Sequence, residues 1–136
     1  FNFIDKNKNY YDLVIADRPD PIGAGKSLYK SNFYKKIKNI MSENSMAVFQ
    51  SGVPFLQKKE LNEVIKDIKK YFKYYGFYFT VVPSYIGGFM ALVWASNNYD
   101  LLKKKNFIDK NIKTEYFNKE ILNASFAVPN FLKKID

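Results

Sequence analysis

The chain contains no cysteine and no histidine in its 136 residues. It therefore has no thiol nucleophile, no imidazole base, and neither a disulfide nor a zinc site built from the usual ligands. Acid–base chemistry has to come from Asp, Glu, Lys or Tyr. No apolar run approaches the roughly 20 residues that a membrane-spanning helix needs, and no signal-peptide pattern opens the chain. These absences predict a cytoplasmic protein without a membrane contact.

Arginine is also scarce, because Arg18 is the only arginine among the 22 basic residues. The formal net charge of +9 raises the possibility of a nucleic-acid partner. Nucleic-acid readout depends heavily on arginine, however, and the lysines fall mostly in pairs on helix-like faces. We interpret the charge as a solvated surface and expect no nucleic-acid partner. A basic nucleic-acid binder is the weaker alternative, and its binding would fall steeply as salt rises.

Hydrophobic residues are abundant at 47%, and aromatic residues make up 18% of the chain. This composition excludes a disordered or fibrous protein and predicts one globular domain, or part of a larger one. The hydrophobic periodicity predicts alternating strands and helices. The predicted elements are a strand at Leu13–Ala16, a helix from a Ser31 cap, a strand at 46–50, a helix from Gln57 to Tyr74 ended by Gly76, and strands at 77–82 and 89–96.

The first strand is apolar throughout, which is typical of a strand covered on both faces, as in a parallel sheet. The last two strands are separated by a short turn and predict an antiparallel hairpin. Together the elements predict an α/β fold, the second half of a methyltransferase-like, Rossmann-type doubly wound sheet that ends in an antiparallel hairpin.

Two carboxylates, Asp17 and Asp20, follow the first strand in a loop rich in proline and glycine. Ligands bind in open α/β sheets just outside the carboxyl ends of strands, so this loop is the candidate site. Taken alone, the carboxylates are also typical of turns and helix caps. The stretch from Gly23 to Ser27 resembles a phosphate-binding loop only superficially, because the spacing of that motif is absent.

The loop carries a pattern that resembles the active-site signature of the spermidine synthases, also called polyamine aminopropyltransferases. The signature is Asp-x-x-Asp-Pro-x-Gly-Pro-x-x-Ser-Leu, and the chain reads Asp17-Arg18-Pro19-Asp20-Pro21-Ile22-Gly23-Ala24-Gly25-Lys26-Ser27-Leu28. Later blocks are similar as well: Gln50-Ser51-Gly52, Pro83-Ser84-Tyr85-Ile86-Gly87-Gly88, Tyr116-Phe117-Asn118 and Ala124-Ser125-Phe126-Ala127-Val128-Pro129.

The resemblance covers nearly the whole chain but only about the C-terminal half of the family's length. It implies that residues 1–136 are a single domain, the C-terminal portion of an aminopropyltransferase catalytic domain. The family's N-terminal β domain and donor-binding half have no match here, so this stretch alone is expected to be inactive. The implied reaction transfers an aminopropyl group from decarboxylated S-adenosylmethionine to putrescine and yields spermidine and methylthioadenosine.

The resemblance also implies roles for individual residues. Asp17 would be the catalytic base and would lie beside the donor, while Asp20, Gln50 and Tyr85 would bind the polyamine. The positions of Ala24 and Leu28 would line the thioadenosine side. No metal and no cofactor is expected beyond the sulfonium co-substrate, and the partners implied are small polyamines and a second copy in a homodimer.

The chain departs from the family pattern at three places. Arg18, followed by Pro19, replaces the small residues common after the first aspartate, and a guanidinium turned into the pocket would weaken the binding of cationic substrates. Ala24 replaces a common proline, and Leu122 stands where many relatives have histidine. The Arg18 departure and the missing half favour an alternative function, a non-catalytic methyltransferase-like domain that binds a polyamine or a partner.

Overall fold

A computed structural model describes residues 2–6, 10–104 and 113–135. In chain order its elements are α1 Asn2–Lys6, β1 Tyr11–Ala16, a 3-10 helix Gly23–Tyr29, α2 Ser31–Ile40, β2 Met41–Gln50, α3 Lys58–Ile68, β3 Tyr74–Val81, β4 Phe89–Ser96, α4 Leu101–Lys104, α5 Lys119–Ser125 and a 3-10 helix Asn130–Leu132. None of the helices in these ranges is long and apolar enough to cross a bilayer.

The strands form one open sheet in the order β1-β2-β4-β3. β1 runs parallel to β2, whereas β4 is antiparallel to both β2 and β3. The predicted α/β sheet and its terminal hairpin are therefore confirmed. β2 begins at Met41, directly after α2, and is longer than the strand predicted at 46–50.

The core lies between one face of the sheet and helices α2 and α3. Each helix carries an apolar stripe, seen in the buried Phe33 and Ile37 of α2 and in Leu61 and Ile68 of α3. These side chains belong to the same cluster as Phe49 of β2, which is fully buried. The stripe positions recur at helical spacing, so one face of each helix is removed from water, and no lysine of either helix is buried.

Two predicted helix boundaries are wrong. α3 ends at Ile68, and Gly76 is part of β3 and does not terminate the helix. A Cβ atom at Gly76 would lie 2.9 Å from Nε1 of Trp94, so the indole ring needs this glycine in the neighbouring strand. Ser31 does not cap α2: Lys30 precedes the helix without a side-chain cap, and the Ser31 hydroxyl lies 2.9 Å from that of Tyr71.

The second face of the sheet is only partly covered. α5 reaches it near β3, where the rings of Tyr78 and Phe126 are 5.6 Å apart. A mostly apolar cavity of about 530 Å³ separates α5 from the strands. Leu13 and Ile15 of β1 point to this face and are 55% and 71% exposed, so the prediction that β1 is covered on both faces is wrong for the described residues. The reason is that α2 and α3 both pack on the opposite face.

Trp94 lies on this second face but is buried, with 1% of its surface exposed. It pairs with Val48 in β2 and with Gly76 in β3. Its indole N–H has no hydrogen-bond partner within the part of the chain that the structure describes. Trp94 is therefore an interior residue, although it lies on the face of the sheet opposite to α2 and α3.

Candidate active site

One edge of the sheet collects the predicted site residues. The parallel strands β1 and β2 both end there, and β3 ends and β4 begins there because each is antiparallel to its neighbour. The loop after β1, the end of β2 and the β3–β4 turn are consequently neighbours. The ladder between β2 and β4 extends past Gln50, since Ser51 N–H donates to Ala91 O and Ala91 N–H donates to Gly52 O, both at 2.9 Å.

Asp17 and Asp20 leave this edge as exposed carboxylates. Asp17 directly follows the last residue of β1, and Asp20 begins the tight turn that leads to the 3-10 helix. Ile22 N–H donates to Asp20 O at 2.7 Å, and Gly25 packs against the same carbonyl, where a Cβ atom would lie only 2.6 Å away. The backbone around Asp20 is therefore tightly folded, while its carboxylate faces solvent.

Gln57 holds the Asp20 carboxylate in place. Its Nε2 donates to Asp20 Oδ1 at 3.1 Å, and its Oε1 accepts from Val53 N–H at 2.9 Å. One amide side chain thus joins the loop after β1 to the loop after β2. No ion pair among residues of the described ranges involves Asp17 or Asp20, so both carboxylates are available to an external cation.

Arg18 turns into the protein interior and away from the solvent that the two carboxylates face. It is 4% exposed. Its Nη1 donates to Leu28 O at 2.9 Å and to the Tyr34 hydroxyl at 2.7 Å, and its Nη2 donates to Gln50 O at 2.8 Å. The guanidinium therefore does not turn into the candidate pocket, which is the arrangement that would weaken the binding of cationic substrates.

Gln50 and Tyr29 lie beside the Arg18 side chain at this edge of the sheet. Gln50, the last residue of β2, is 8% exposed, and its Oε1 accepts a hydrogen bond from the Tyr29 hydroxyl at 3.3 Å. The Tyr29 ring lies over the guanidinium of Arg18, with 4.0 Å between the ring centroid and Cζ. A cation stacked on an aromatic face is attracted by the quadrupole of the ring.

Burial and three nearby charged groups shift the pKa of Tyr29. Burial raises the pKa of Tyr29 above its usual 10.0, the Arg18 guanidinium lowers it, and the carboxylates of Asp20 and Asp17 raise it. The phenol therefore lies within the fields of one buried cation and two exposed anions. The two anions of this edge thus lie on its solvent side and the cation on its buried side.

The remaining predicted residues lie at the same edge without a described contact to the two carboxylates. Tyr85 is in the β3–β4 turn, which Val82 and Gly88 close by a backbone hydrogen bond of 2.9 Å, and it is 51% exposed. Ala24 is exposed within the 3-10 helix, and Leu28 is partly buried near its end, where its carbonyl accepts from Arg18. The described residues contain no group of three or more acidic side chains placed to hold a metal ion.

Sequence reasoning missed Tyr29 and Gln57 and did not anticipate the hydrogen bonds that bury Arg18. Gln57 follows a loop whose conformation no sequence motif indicates. Tyr29 is the residue directly after the matched motif and so is not part of it. Arg18 offered one usable signal, since it is the single arginine in a chain whose other basic residues are all lysines. Arginine is preferred where a forked donor must bind several acceptors.

Comparisons with known proteins identify the family and the fold. A family model for the spermine/spermidine synthase domain matches residues 1–131. A polyamine aminopropyltransferase of Buchnera aphidicola subsp. Acyrthosiphon pisum (strain Tuc7) is 42% identical, and one of Buchnera aphidicola subsp. Schizaphis graminum (strain Sg) is 39% identical; each match covers 96% of this chain and 48% of the relative.

A crystal structure of a spermidine synthase in complex with the transition-state analogue AdoDATO superimposes with a TM-score of 0.88 at 28% identity. That match covers 98% of this chain and 47% of the solved chain. The chain thus spans about half the length of the relatives that it matches. Because the family model accounts for nearly all of the sequence, the chain belongs to the spermine/spermidine synthase domain family.

Proposed function

We propose that the protein transfers an aminopropyl group from decarboxylated S-adenosylmethionine to putrescine, giving spermidine and methylthioadenosine. The observation that carries this proposal is the pair of exposed carboxylates at the carboxyl edge of the sheet, in a chain of this family. Two anions without an ion-pair partner within the described ranges provide the charge that a diamine needs.

The chemistry requires a base because the acceptor is protonated. A primary amine has a pKa of about 10 by analogy with lysine, so near neutral pH it has no free lone pair. In the proposed step Asp17 takes one proton from the amine. The amine nitrogen forms a bond to the methylene carbon beside the sulfonium, the carbon–sulfur bond breaks, and its electron pair neutralises the sulfur of methylthioadenosine.

Asp20 has a different role in the proposal, since its carboxylate is oriented by the Gln57 amide. A carboxylate held by one donor still has lone pairs for an ammonium group. Asp20 would bind the protonated amine, while Gln50 and Tyr85 would contact the methylene chain or its far nitrogen. Ala24 and Leu28, both on the 3-10 helix after Asp20, would face the thioadenosine part of the donor.

The test is a mass-spectrometric search for methylthioadenosine and spermidine after the gene product that carries these residues is mixed with both substrates. Asp17→Asn is expected to lower turnover at least about a hundredfold, which is the usual contribution of a general base. Asp12→Asn is the matched control, because Asp12 is an exposed carboxylate on β1, the strand that Asp17 follows, and is hydrogen-bonded to Ser42 at the opposite end of that strand. Equal turnover by Asp17→Asn and the wild type would refute the assignment of the base.

Residues 1–136 without further sequence are expected to give no product, because the family's donor-binding half has no match in them. Product from this polypeptide alone would contradict that expectation. The rival function, polyamine or partner binding without chemistry, predicts putrescine binding by calorimetry and no product from the folded gene product. The burial of Arg18 removes one of the two reasons for that rival. The homodimer and the cytoplasmic location stay predictions, the first testable by sedimentation.

A further inference from the structure

The Arg18 side chain is a buried cation whose described hydrogen-bond acceptors are all neutral. They are the carbonyls of Gln50 and Leu28 and the hydroxyl of Tyr34. None of the ion pairs within the described ranges includes Arg18. Burying a charge without a counter-ion is costly, and an apolar residue of similar volume would often stabilise a core as well or better. The position of this charge therefore calls for a role beyond core stability.

The geometry of the contacts uses the planar fork of the guanidinium. One edge, Nε and Nη2, donates to Gln50 O at 3.3 and 2.8 Å. The opposite edge, Nη1, donates to Leu28 O and the Tyr34 hydroxyl, and the Tyr29 ring covers one face. A lysine ammonium is a compact point charge and does not match acceptors on two sides of a plane.

These contacts join three segments of the candidate active site. Arg18 lies in the chain between Asp17 and Asp20, so anchoring its side chain restrains the backbone that carries both carboxylates. The acceptor on Gln50 is the end of β2, and the acceptor on Leu28 is near the end of the 3-10 helix. Tyr29, stacked on the guanidinium, donates to the side chain of Gln50.

We propose that Arg18 is a positioning residue that sets the distance between the Asp17–Asp20 loop and Gln50. This inference rests on the proposed function, in which those residues bind the acceptor amine. Arg18 touches no substrate itself and acts through the backbone of its own loop, through Gln50 O and through Tyr29. The guanidinium also lies on the buried side of the loop, away from the acceptor amine. It therefore orders the two carboxylates without competing with the amine for them.

The experiment compares Arg18→Lys and Arg18→Met with the wild-type gene product that carries these residues. Lys38→Met is the matched control, because Lys38 also donates to a backbone carbonyl, that of Tyr71. Lys38 lies near the C-terminal end of α2, at the opposite edge of the sheet from Asp17. Hydrogen exchange of the amides in residues 20–29, the thermal midpoint, and kcat and KM for putrescine are measured for each protein well below its midpoint.

Both Arg18 variants are expected to exchange faster in residues 20–29 and to lose about a hundredfold in kcat/KM, as misplaced reacting groups do. Lys38→Met should match the wild type in both measurements. If Arg18→Met does not fold, Tyr29→Phe, which removes only the hydroxyl on Gln50, is expected to raise KM for putrescine with a smaller change in kcat. Unchanged exchange and unchanged kcat/KM in Arg18→Lys, with a lower thermal midpoint, would overturn the proposal and leave Arg18 a stabilising residue.

The outcomes separate the two proposals. A wild-type protein that gives no methylthioadenosine refutes the proposed function, and the exchange measurement then decides on its own whether Arg18 orders the loop. A wild-type protein that gives product while Arg18→Lys equals it in both rate and exchange refutes only the positioning role.

Discussion

Replacing Tyr34 by Phe removes one hydroxyl from the interior and tests how the buried cation is held. Tyr34 is 0% exposed, and its ring packs edge-on against Phe49 with centroids 5.3 Å apart. Phenylalanine keeps that packing, so the change isolates the hydrogen bond of 2.7 Å from Arg18. A buried hydrogen bond to a charged group contributes about 1.5–3 kcal/mol, and we expect the free energy of unfolding at pH 7 to fall by about 2 kcal/mol.

The free energy of unfolding differs between the wild type and Tyr34→Phe, and the pH dependence of that difference is a second, independent test. Burial raises the pKa of Tyr34 above its usual 10.0, although Arg18 lowers it in part. The unfolded chain therefore loses the Tyr34 proton first as the pH rises above 10, and this loss favours unfolding. As the pH rises above 10, the free energy of unfolding of the wild type therefore falls, whereas the Tyr34→Phe variant lacks this phenol and is not affected in this way. Between pH 10 and pH 11 the difference between the two proteins should shrink by up to about 1 kcal/mol.

The assay is urea denaturation followed by far-ultraviolet circular dichroism at pH 7, 10 and 11. Tyr10→Phe is the control, because Tyr10 is 72% exposed and should change stability by less than about 0.5 kcal/mol. A cost below about 0.5 kcal/mol for Tyr34→Phe at pH 7 would show that the hydroxyl does not stabilise the guanidinium. A difference that stays constant up to pH 11 would refute the assigned direction of the pKa shift.

The other predictions concern the core, the open face and the loop. Leu61 is fully buried, so Leu61→Ala is expected to lower the free energy of unfolding by about 2–5 kcal/mol in urea denaturation. Leu13 is 55% exposed, so Leu13→Ala should lower it far less. Equal losses in the two variants would contradict the described packing. Gln57→Met removes the donor to Asp20 Oδ1 and should raise KM for putrescine roughly threefold to tenfold, the equivalent of one hydrogen bond, with little effect on kcat. Initial-rate kinetics measure the KM, and an unchanged KM would argue against Asp20 as the residue that binds the acceptor amine.

The class of fold was predictable from the sequence because hydrophobic periodicity is a local property. The apolar runs at 13–16 and 89–96 and the stripes of α2 and α3 each show their period over a few residues. The placement of Asp17 and Asp20 followed from the same pattern, since parallel strands end at one edge of the sheet. Their roles rest on the family resemblance and stay predictions.

The features that sequence reasoning missed depend on residues distant in the chain. Apolar residues continue past Ile68 at nearly helical spacing, so nothing local indicates that α3 ends there. The identity of Gly76 is explained only by Trp94, which packs against it from the neighbouring strand. Likewise, the direction of the Arg18 side chain is set by acceptors on β2 and α2 that no motif connects to it. Tertiary contacts decide such positions.

The single tryptophan of the chain has a spectroscopic consequence. Trp94 is nearly inaccessible to water, and its N–H has no acceptor in the described ranges, so its fluorescence should be blue-shifted in the native protein and move to the red on unfolding. Trp94 lies near the end of β4 remote from the two carboxylates. Its emission should therefore report the integrity of the sheet without interference from a molecule bound at the other edge. One native chromophore can thus distinguish a variant that has lost its structure from one that has lost only its affinity, without an added label.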